Sequence, residues 1–169
     1  MSSKRVFFAL WPDHRQRDRL RDVINSVART VEGKAVDRRN WHITLAFLGD
    51  IDERLIADLQ ARAGQIRLEP FRLSFDRLEF WARPKVACLV TPTVPVELQE
   101  VVRQLHAVIQ DFGVIPEDRT YRPHITVTRD ARAFTTERLA QRAMTEWSGF
   151  ELIESVSAPG GVSYVPLKQ

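Results

Sequence analysis

Two short segments decide the fold of this chain: Trp-His-Ile-Thr-Leu at residues 41–45 and Pro-His-Ile-Thr-Val at residues 123–127. Side chains two positions apart share one face of a β-strand, so the histidine and threonine of each segment point together. The apolar residues between and after them point to the opposite face. Each segment is therefore predicted to be a strand with one polar face and one face packed into a core.

The two segments lie 82 residues apart, and the chain has only four histidines in total. From composition, two apolar-flanked His-x-Thr strands would arise by chance on the order of one time in a thousand. The spacing predicts an internal duplication with approximate repeats 1–82 and 83–169 inside a single bilobal domain, residues 1–169. The recurring residues are His42 and His124, and Thr44 and Thr126.

Composition limits the class of protein. A chain of 169 residues that is 44% hydrophobic suits one compact domain. The single cysteine, Cys88, excludes an internal disulfide framework and suits a reducing compartment. No apolar run approaches the roughly 18 residues of a membrane span, and the run at residues 6–11 is too short for a secretion signal. We expect a cytoplasmic monomer without membrane association.

Charge permits a nucleic-acid partner without requiring one. The net charge is only +3, but 21 of the 25 basic residues are arginine. The planar guanidinium suits phosphate recognition and base stacking better than the lysine ammonium does. A bias in genome composition would produce the same arginine excess, so this feature alone does not identify a partner.

Hydrophobic periodicity predicts an α+β fold of two pseudo-symmetric lobes. Each lobe is expected to be an antiparallel β-sheet with helices packed on its outer face, with a central cleft between the lobes. Gly49 and Asp50 are expected to end the second strand. The predicted strands are 5–10, 41–48, 71–81, 85–90, 121–129, 150–157 and 162–167, and the predicted helices are 13–31, 51–66, 98–112 and 135–147.

The duplicated motif resembles the 2H phosphoesterase superfamily, and within it the RNA 2′,3′-cyclic phosphodiesterases, also called 2′-5′ RNA ligases. The resemblance rests on residues 5–10, 40–49 and 121–129, and the order of elements fits over nearly the whole chain. It implies an enzyme that hydrolyses RNA 2′,3′-cyclic phosphate ends to 2′-phosphomonoesters without a cofactor or metal ion. Two imidazoles suffice for that reaction, since one can deprotonate water while the other protonates the departing ribose oxygen.

The resemblance also implies roles for individual residues. His42 would be the proton donor and His124 the proton acceptor, although the pseudo-symmetry of the residues themselves leaves the reverse assignment open. Thr44 and Thr126 would hydrogen-bond the non-bridging phosphate oxygens. Phe47 and Arg129 would stack on the terminal base.

The positions of Phe47 and Arg129 raise a geometric difficulty. Both lie five residues after a histidine, and an odd offset sends a side chain to the opposite face of a strand. They reach the cleft only if each strand bends or ends near them, which Gly49 and Asp130 permit.

Other interpretations remain open at the level of sequence. One keeps both histidines but changes the substrate to small cyclic nucleotides or 2′,5′-linked oligonucleotides. Another is a noncatalytic RNA-binding module.

Several residues are expected to have no role in chemistry: Cys88 as a buried apolar residue, His14 and His106 on helices, Ser163 outside a nucleophile elbow, Arg122 as a solvated edge residue, and Trp11, Trp41, Trp81 and Trp147 in the core.

Overall fold

The computed structural model describes residues 2–168, which form nine β-strands and three α-helices. The strands are β1 (Ser3–Leu10), β2 (Lys34–Ala35), β3 (Ile43–Asp52), β4 (Phe71–Trp81), β5 (Val86–Val90), β6 (His124–Arg129), β7 (Glu137–Trp147), β8 (Glu151–Ala158) and β9 (Gly161–Pro166). The helices are α1 (His14–Ala28), α2 (Ile56–Ala63) and α3 (Val96–Asp111), and 3₁₀ turns cover Arg38–Asn40 and Glu53–Leu55. Within residues 2–168 no helix is long and apolar enough to span a membrane.

The strands form two sheets, and every neighbouring pair is antiparallel. The first sheet has the order β3-β1-β8-β9, and the second has the order β2-β6-β5-β4-β7. The predicted α+β fold with two antiparallel sheets is therefore confirmed. The two His-x-Thr segments belong to different sheets, one at β3 and the other at β6.

The helices cross from one sheet to the other. α1 follows β1 but packs against β6 and β7 of the second sheet, whereas α3 follows β5 and packs against β3 of the first. The start of α1 is set locally by a capping box, in which Asp13 accepts from the Gln16 amide and the Gln16 side chain accepts from the Asp13 amide. Because α1 and α3 each pack against the other sheet, one cluster of buried hydrophobic side chains joins both sheets and all three helices.

The two sheets do not coincide with the sequence halves 1–82 and 83–169. The boundary between the halves falls in the turn between β4 and β5, which are neighbours in one sheet. The first sheet combines β1 and β3 from the first half with β8 and β9 from the second. The sheets therefore do not follow the sequence halves, because the closing strands return to the first sheet. The duplication itself stays a prediction.

The predicted helix over residues 135–147 is wrong, because the structure has the strand β7, Glu137–Trp147, in its place. Along its second half, Ala143, Thr145 and Trp147 are buried while Met144 and Glu146 are exposed, the alternation typical of a strand. The residues before them are mostly charged or polar and show neither period clearly. Pairing with β4, which is distant in sequence, decides the conformation.

The strand predicted to stop at Gly49 continues to Asp52, and the helix predicted over 51–66 is confined to Ile56–Ala63. Gly49 is not a terminator. It pairs with Val6 and has φ +77°, next to one of the two irregularities in the pairing of β1 and β3. Glycine adopts this left-handed conformation without the steric cost that a Cβ would bring, so β3 continues beyond residue 49.

Candidate active site

The two His-x-Thr segments meet at a cavity of about 370 Å³ between the sheets. Ile43 and Ile125, which follow the two histidines, are fully buried in the core, so the flanking polar side chains face the cavity. The structure therefore brings together every site residue that the sequence predicted. Those residues are His42, Thr44, Phe47, His124, Thr126 and Arg129.

A β-bulge in β3 turns Phe47 toward the cavity. Residues 8 and 9 of β1 pair with residues 46 and 44, so Leu45 is an extra residue in the ladder. An extra residue changes the alternation of faces by one position. Phe47, five positions after His42, consequently lies on the same face as that histidine.

β6 contains the same irregularity at the equivalent position. Residues 87 and 88 of β5 pair with residues 128 and 126, which leaves Val127 as the extra residue, 82 positions after Leu45. Thr128 is thereby buried and Arg129 lines the cavity. The bulges, and not a bend at Gly49, resolve the odd offsets of Phe47 and Arg129.

The imidazole of His42 is held by its own segment. Its Nδ1–H donates to the carbonyl oxygen of Asn40 at 2.7 Å, which leaves Nε2 3.1 Å from the Thr44 hydroxyl oxygen. Burial, with a smaller contribution from the charges of His124 and Arg129, lowers the pKa of His42 to about 4. The ring is therefore neutral at pH 7 with Nε2 free of a proton.

His124 repeats this arrangement. Its Nδ1–H donates to the carbonyl oxygen of Arg122 at 2.9 Å, and Arg122 lies 82 residues after Asn40. Burial lowers the pKa of His124, and the charges of Arg122 and Arg119 act in the same direction. Both rings thus have the same tautomer, with Nδ1 fixed by the backbone and Nε2 available for proton transfer.

Aromatic rings surround His42. The ring centroids of Phe7 and Tyr164 lie 5.0 Å from that of His42, and Trp11 is stacked at 6.0 Å. Trp41 and Trp147 are buried as expected, but Trp11 is not a core residue, because β1 ends just before it and leaves it half-buried against His42. These rings exclude water from His42, which is the physical cause of its low pKa.

A network of charged and aromatic residues braces His124. Trp81 lies 4.3 Å from its ring, and Trp81 donates its indole N–H to Glu79 at 3.1 Å. Arg122 donates to both carboxylate oxygens of Glu79 at 2.9 and 3.0 Å and stacks over Trp81. Trp81 is therefore a site residue and not a core residue. Arg122 is exposed, but its contacts with Glu79 and Trp81 hold its guanidinium in place, so it is not the freely solvated residue that was expected.

Tyr164 is a site residue that the sequence did not reveal. It lies on β9, and its hydroxyl accepts a hydrogen bond from Arg129 at 3.2 Å. Its backbone amide donates to the side chain of Asn40 at 3.4 Å. No local motif marks it, since only the pairing of β9 with β8 brings this tyrosine to the cavity.

Arg5 is a second site residue that the sequence does not indicate. Its guanidinium lies 4.9 Å from the centroid of the Phe47 ring, and both residues line the cavity. Phe47 is 43% exposed, which is high for a phenylalanine and leaves one area of the ring open to a ligand. Arg5, Phe47 and Arg129 therefore form a cationic, aromatic wall suited to a nucleobase and its phosphate.

The remaining candidates have structural surroundings. Cys88 is fully buried, its Sγ is 3.7 Å from the Thr126 hydroxyl, and burial raises the pKa of its thiol to about 12, so it is an unreactive apolar residue as predicted. His14 and Ser163 are exposed away from the cavity. Across residues 2–168 no three His, Cys, Asp or Glu side chains are arranged to hold a metal ion.

Comparison with known proteins identifies the family of this chain. The profile of the LigT like Phosphoesterase family matches residues 10–88. The RNA 2′,3′-cyclic phosphodiesterase of Escherichia coli K12 is 33% identical, with 81% of this chain and 78% of that protein aligned. The RNA 2′,3′-cyclic phosphodiesterase of Archaeoglobus fulgidus is 24% identical, with 97% of this chain and 98% of that protein aligned. The crystal structure of E. coli LigT complexed with 3′-AMP has a TM-score of 0.87 at 30% identity, covering 99% of this chain and 97% of that one. The chain belongs to the LigT-like phosphoesterase family and is an enzyme of the 2H phosphoesterase class.

Proposed function

We propose that this enzyme hydrolyses the 2′,3′-cyclic phosphate at the end of an RNA and leaves a 2′-phosphomonoester. The observation that carries the proposal is the meeting of two His-x-Thr segments, from two different sheets, at one cavity. The names of the relatives support the choice of substrate, because the E. coli and A. fulgidus proteins are both RNA 2′,3′-cyclic phosphodiesterases.

In the proposed reaction a water oxygen attacks phosphorus while the bond from phosphorus to the ribose O3′ breaks. His124 accepts the proton of the water, and His42 donates a proton to O3′. Each imidazole contributes roughly 10² to 10⁴-fold to such a reaction. The anionic phosphate raises the pKa of a nearby imidazolium, so substrate binding supplies the protonated His42 that the free enzyme lacks at pH 7.

The hydroxyl groups of Thr44 and Thr126 hydrogen-bond the non-bridging oxygens of the phosphate in this scheme. Hydroxyls already positioned where negative charge develops stabilise the transition state without reorganisation. The Thr44 hydroxyl lies beside His42 Nε2, and the backbone carbonyl of Thr44 accepts a hydrogen bond from Tyr121 at 2.9 Å. That bond fixes the first sheet against the segment leading into β6.

Phe47 and Arg129 bind the terminal base. The exposed ring of Phe47 provides a stacking surface, and Arg129 is oriented by the Tyr164 hydroxyl. A planar guanidinium opposite an aromatic ring accepts any nucleobase, since every base has a π-face. Base preference is therefore expected to be weak.

Both proton transfers are assigned to imidazoles, so the scheme requires no metal ion. We further propose that the enzyme acts as a monomer in the cytoplasm. One chain supplies both histidines, and its only cysteine is a buried thiol that takes part in no disulfide.

The test is an end-group assay with an RNA that carries a 2′,3′-cyclic phosphate, in the presence of a chelator. The expected product is a 2′-phosphomonoester at an undiminished rate. A 3′-phosphomonoester would overturn the proposed cleavage of the bond from phosphorus to O3′. Loss of turnover with chelator would overturn the metal-free scheme. Turnover of 2′,5′-linked oligonucleotides but not of the cyclic end would overturn the choice of substrate.

A further inference from the structure

A second and larger cavity, of about 730 Å³, continues from the catalytic cavity. The two cavities share Thr44, Phe47, His124, Thr126 and Arg129. Beyond these residues the second cavity extends between the β4–β5 turn, α3 and the loop that leads into β6. We call this extension the outer groove, and its lining includes Trp81, Arg83, His106, Arg119 and Tyr121.

The rings in the outer groove are held in place. Tyr121 is fixed by its hydrogen bond to the Thr44 carbonyl, and Trp81 by its hydrogen bond to Glu79. His106 is half-buried on α3. Rings that are already immobilised lose little conformational entropy when a planar ligand stacks on them. The groove therefore offers stacking surfaces beyond the Phe47 and Arg129 pair.

Positive charge lies along the same groove. Arg83 is exposed in the β4–β5 turn, and within residues 2–168 its guanidinium has no salt-bridge partner. Arg119 pairs at 2.7 Å with Glu117, whose carboxylate also lines the groove, and both side chains are largely exposed. Exposed pairs of this kind contribute little free energy and exchange readily for another anion. A phosphate entering the groove would thus meet cations available to bind it.

We propose that the outer groove binds the nucleotide on the 5′ side of the cyclic end. Its base would stack among the groove rings, and its phosphate would lie near Arg83 and Arg119. This inference rests on the proposed function, because it assumes that the terminal cyclic phosphate lies between His42 and His124. The groove starts at His124 and Phe47, so a second nucleotide can enter it while the first occupies the catalytic cavity.

The test compares two substrates with the same terminal base: a nucleoside 2′,3′-cyclic phosphate and a dinucleotide that ends in the same cyclic phosphate. One stacked base and one phosphate contact should raise kcat/KM for the dinucleotide by about tenfold or more. In the variant Arg83→Ala/Arg119→Ala the ratio of the two kcat/KM values should fall severalfold but stay above one, because the phosphate contact is lost while the groove rings remain. The control is Arg72→Ala/Arg103→Ala, which removes two exposed cations outside the groove and should keep the ratio.

The possible results distinguish a failure of the groove proposal from a failure of the proposed function. Turnover of both substrates with a ratio near one in the unaltered enzyme overturns the groove and leaves the proposed function standing. An equal fall of the ratio in the groove variant and the control also overturns it, because the effect is then one of net charge. A fall in Arg5→Ala alone would place the second nucleotide on the opposite side of Phe47. Turnover of neither substrate overturns the proposed function itself.

Discussion

His42 and Asn40 form the hydrogen bond that orients the first catalytic imidazole, with Nδ1 2.7 Å from the Asn40 carbonyl oxygen. The side chain of the same asparagine binds β9, since its amide donates to the Val162 carbonyl at 3.0 Å and its oxygen accepts from the Tyr164 amide. One residue thus holds both the histidine and the strand that carries Tyr164. The position of His42 is therefore coupled to the closing strand of the first sheet.

Replacement of this side chain should loosen the site without unfolding the protein. We expect Asn40→Ala to lower kcat/KM by about tenfold, because the carbonyl remains but β9 loses its two hydrogen bonds to Asn40. The control is Asn25→Ala on the exposed side of α1, which should leave kcat/KM unchanged. Equal kcat/KM values for the two variants would show that Asn40 does not position the site.

Tyr164 should affect binding and catalysis through different parts of its side chain. Tyr164→Phe removes the hydroxyl that orients Arg129 but keeps the ring against His42. We expect KM to rise by about threefold to tenfold with kcat nearly constant. Tyr164→Ala also removes the ring and should lower kcat. Identical steady-state constants for the two variants would contradict this division.

The pH dependence of kcat/KM follows from the two lowered histidine pKa values. In the free enzyme the pKa of His42 is about 4 and that of His124 is below its usual 6.5, both chiefly because of burial. The reaction needs one ring protonated and the other neutral, and above pH 6.5 that form becomes rarer as pH rises. We expect kcat/KM to fall about tenfold per pH unit on this side, whichever histidine is the acid. A flat profile between pH 7 and pH 9 would contradict the lowered pKa values.

Gly49 is expected to matter for stability. An alanine there would have to adopt φ +77°, although its Cβ would have space, with the Phe47 ring 3.9 Å away. The left-handed conformation should make Gly49→Ala less stable by about 1 kcal/mol in urea unfolding. Gly149→Ala is the matched control, since Gly149 has no left-handed φ and no atom within 4 Å of the added Cβ. Equal free energies of unfolding for the two variants would refute the role of backbone conformation.

Much of the site was predictable because strand alternation is a local property. His42 and Thr44 share a face for the same reason as His124 and Thr126, and one repeat supports the other. The residues that the sequence could not place depend on pairing between strands. Whether Leu45 or Val127 is the extra residue of a bulge is decided by the opposite strand, and no local pattern shows it.

The wrong predictions about the fold have the same cause. The charged segment 137–147 becomes a strand because it pairs with β4, and Gly49 lies within a strand because β1 pairs as far as Asp52. Tyr164 reaches the site because β9 pairs with β8 in the first sheet. Each of these contacts joins residues distant in sequence, and periodicity within one segment carries no information about them.

The requirement for both histidines is tested most directly by measuring hydrolysis of an RNA 2′,3′-cyclic phosphate end by His42→Ala and His124→Ala. Each variant should lose at least about a hundredfold in kcat while still binding the RNA end, and the double variant should be little worse than either one. His14→Ala, which changes an exposed histidine outside the cavity, should retain full activity. Normal turnover by either His42→Ala or His124→Ala would contradict acid-base catalysis by the histidine pair.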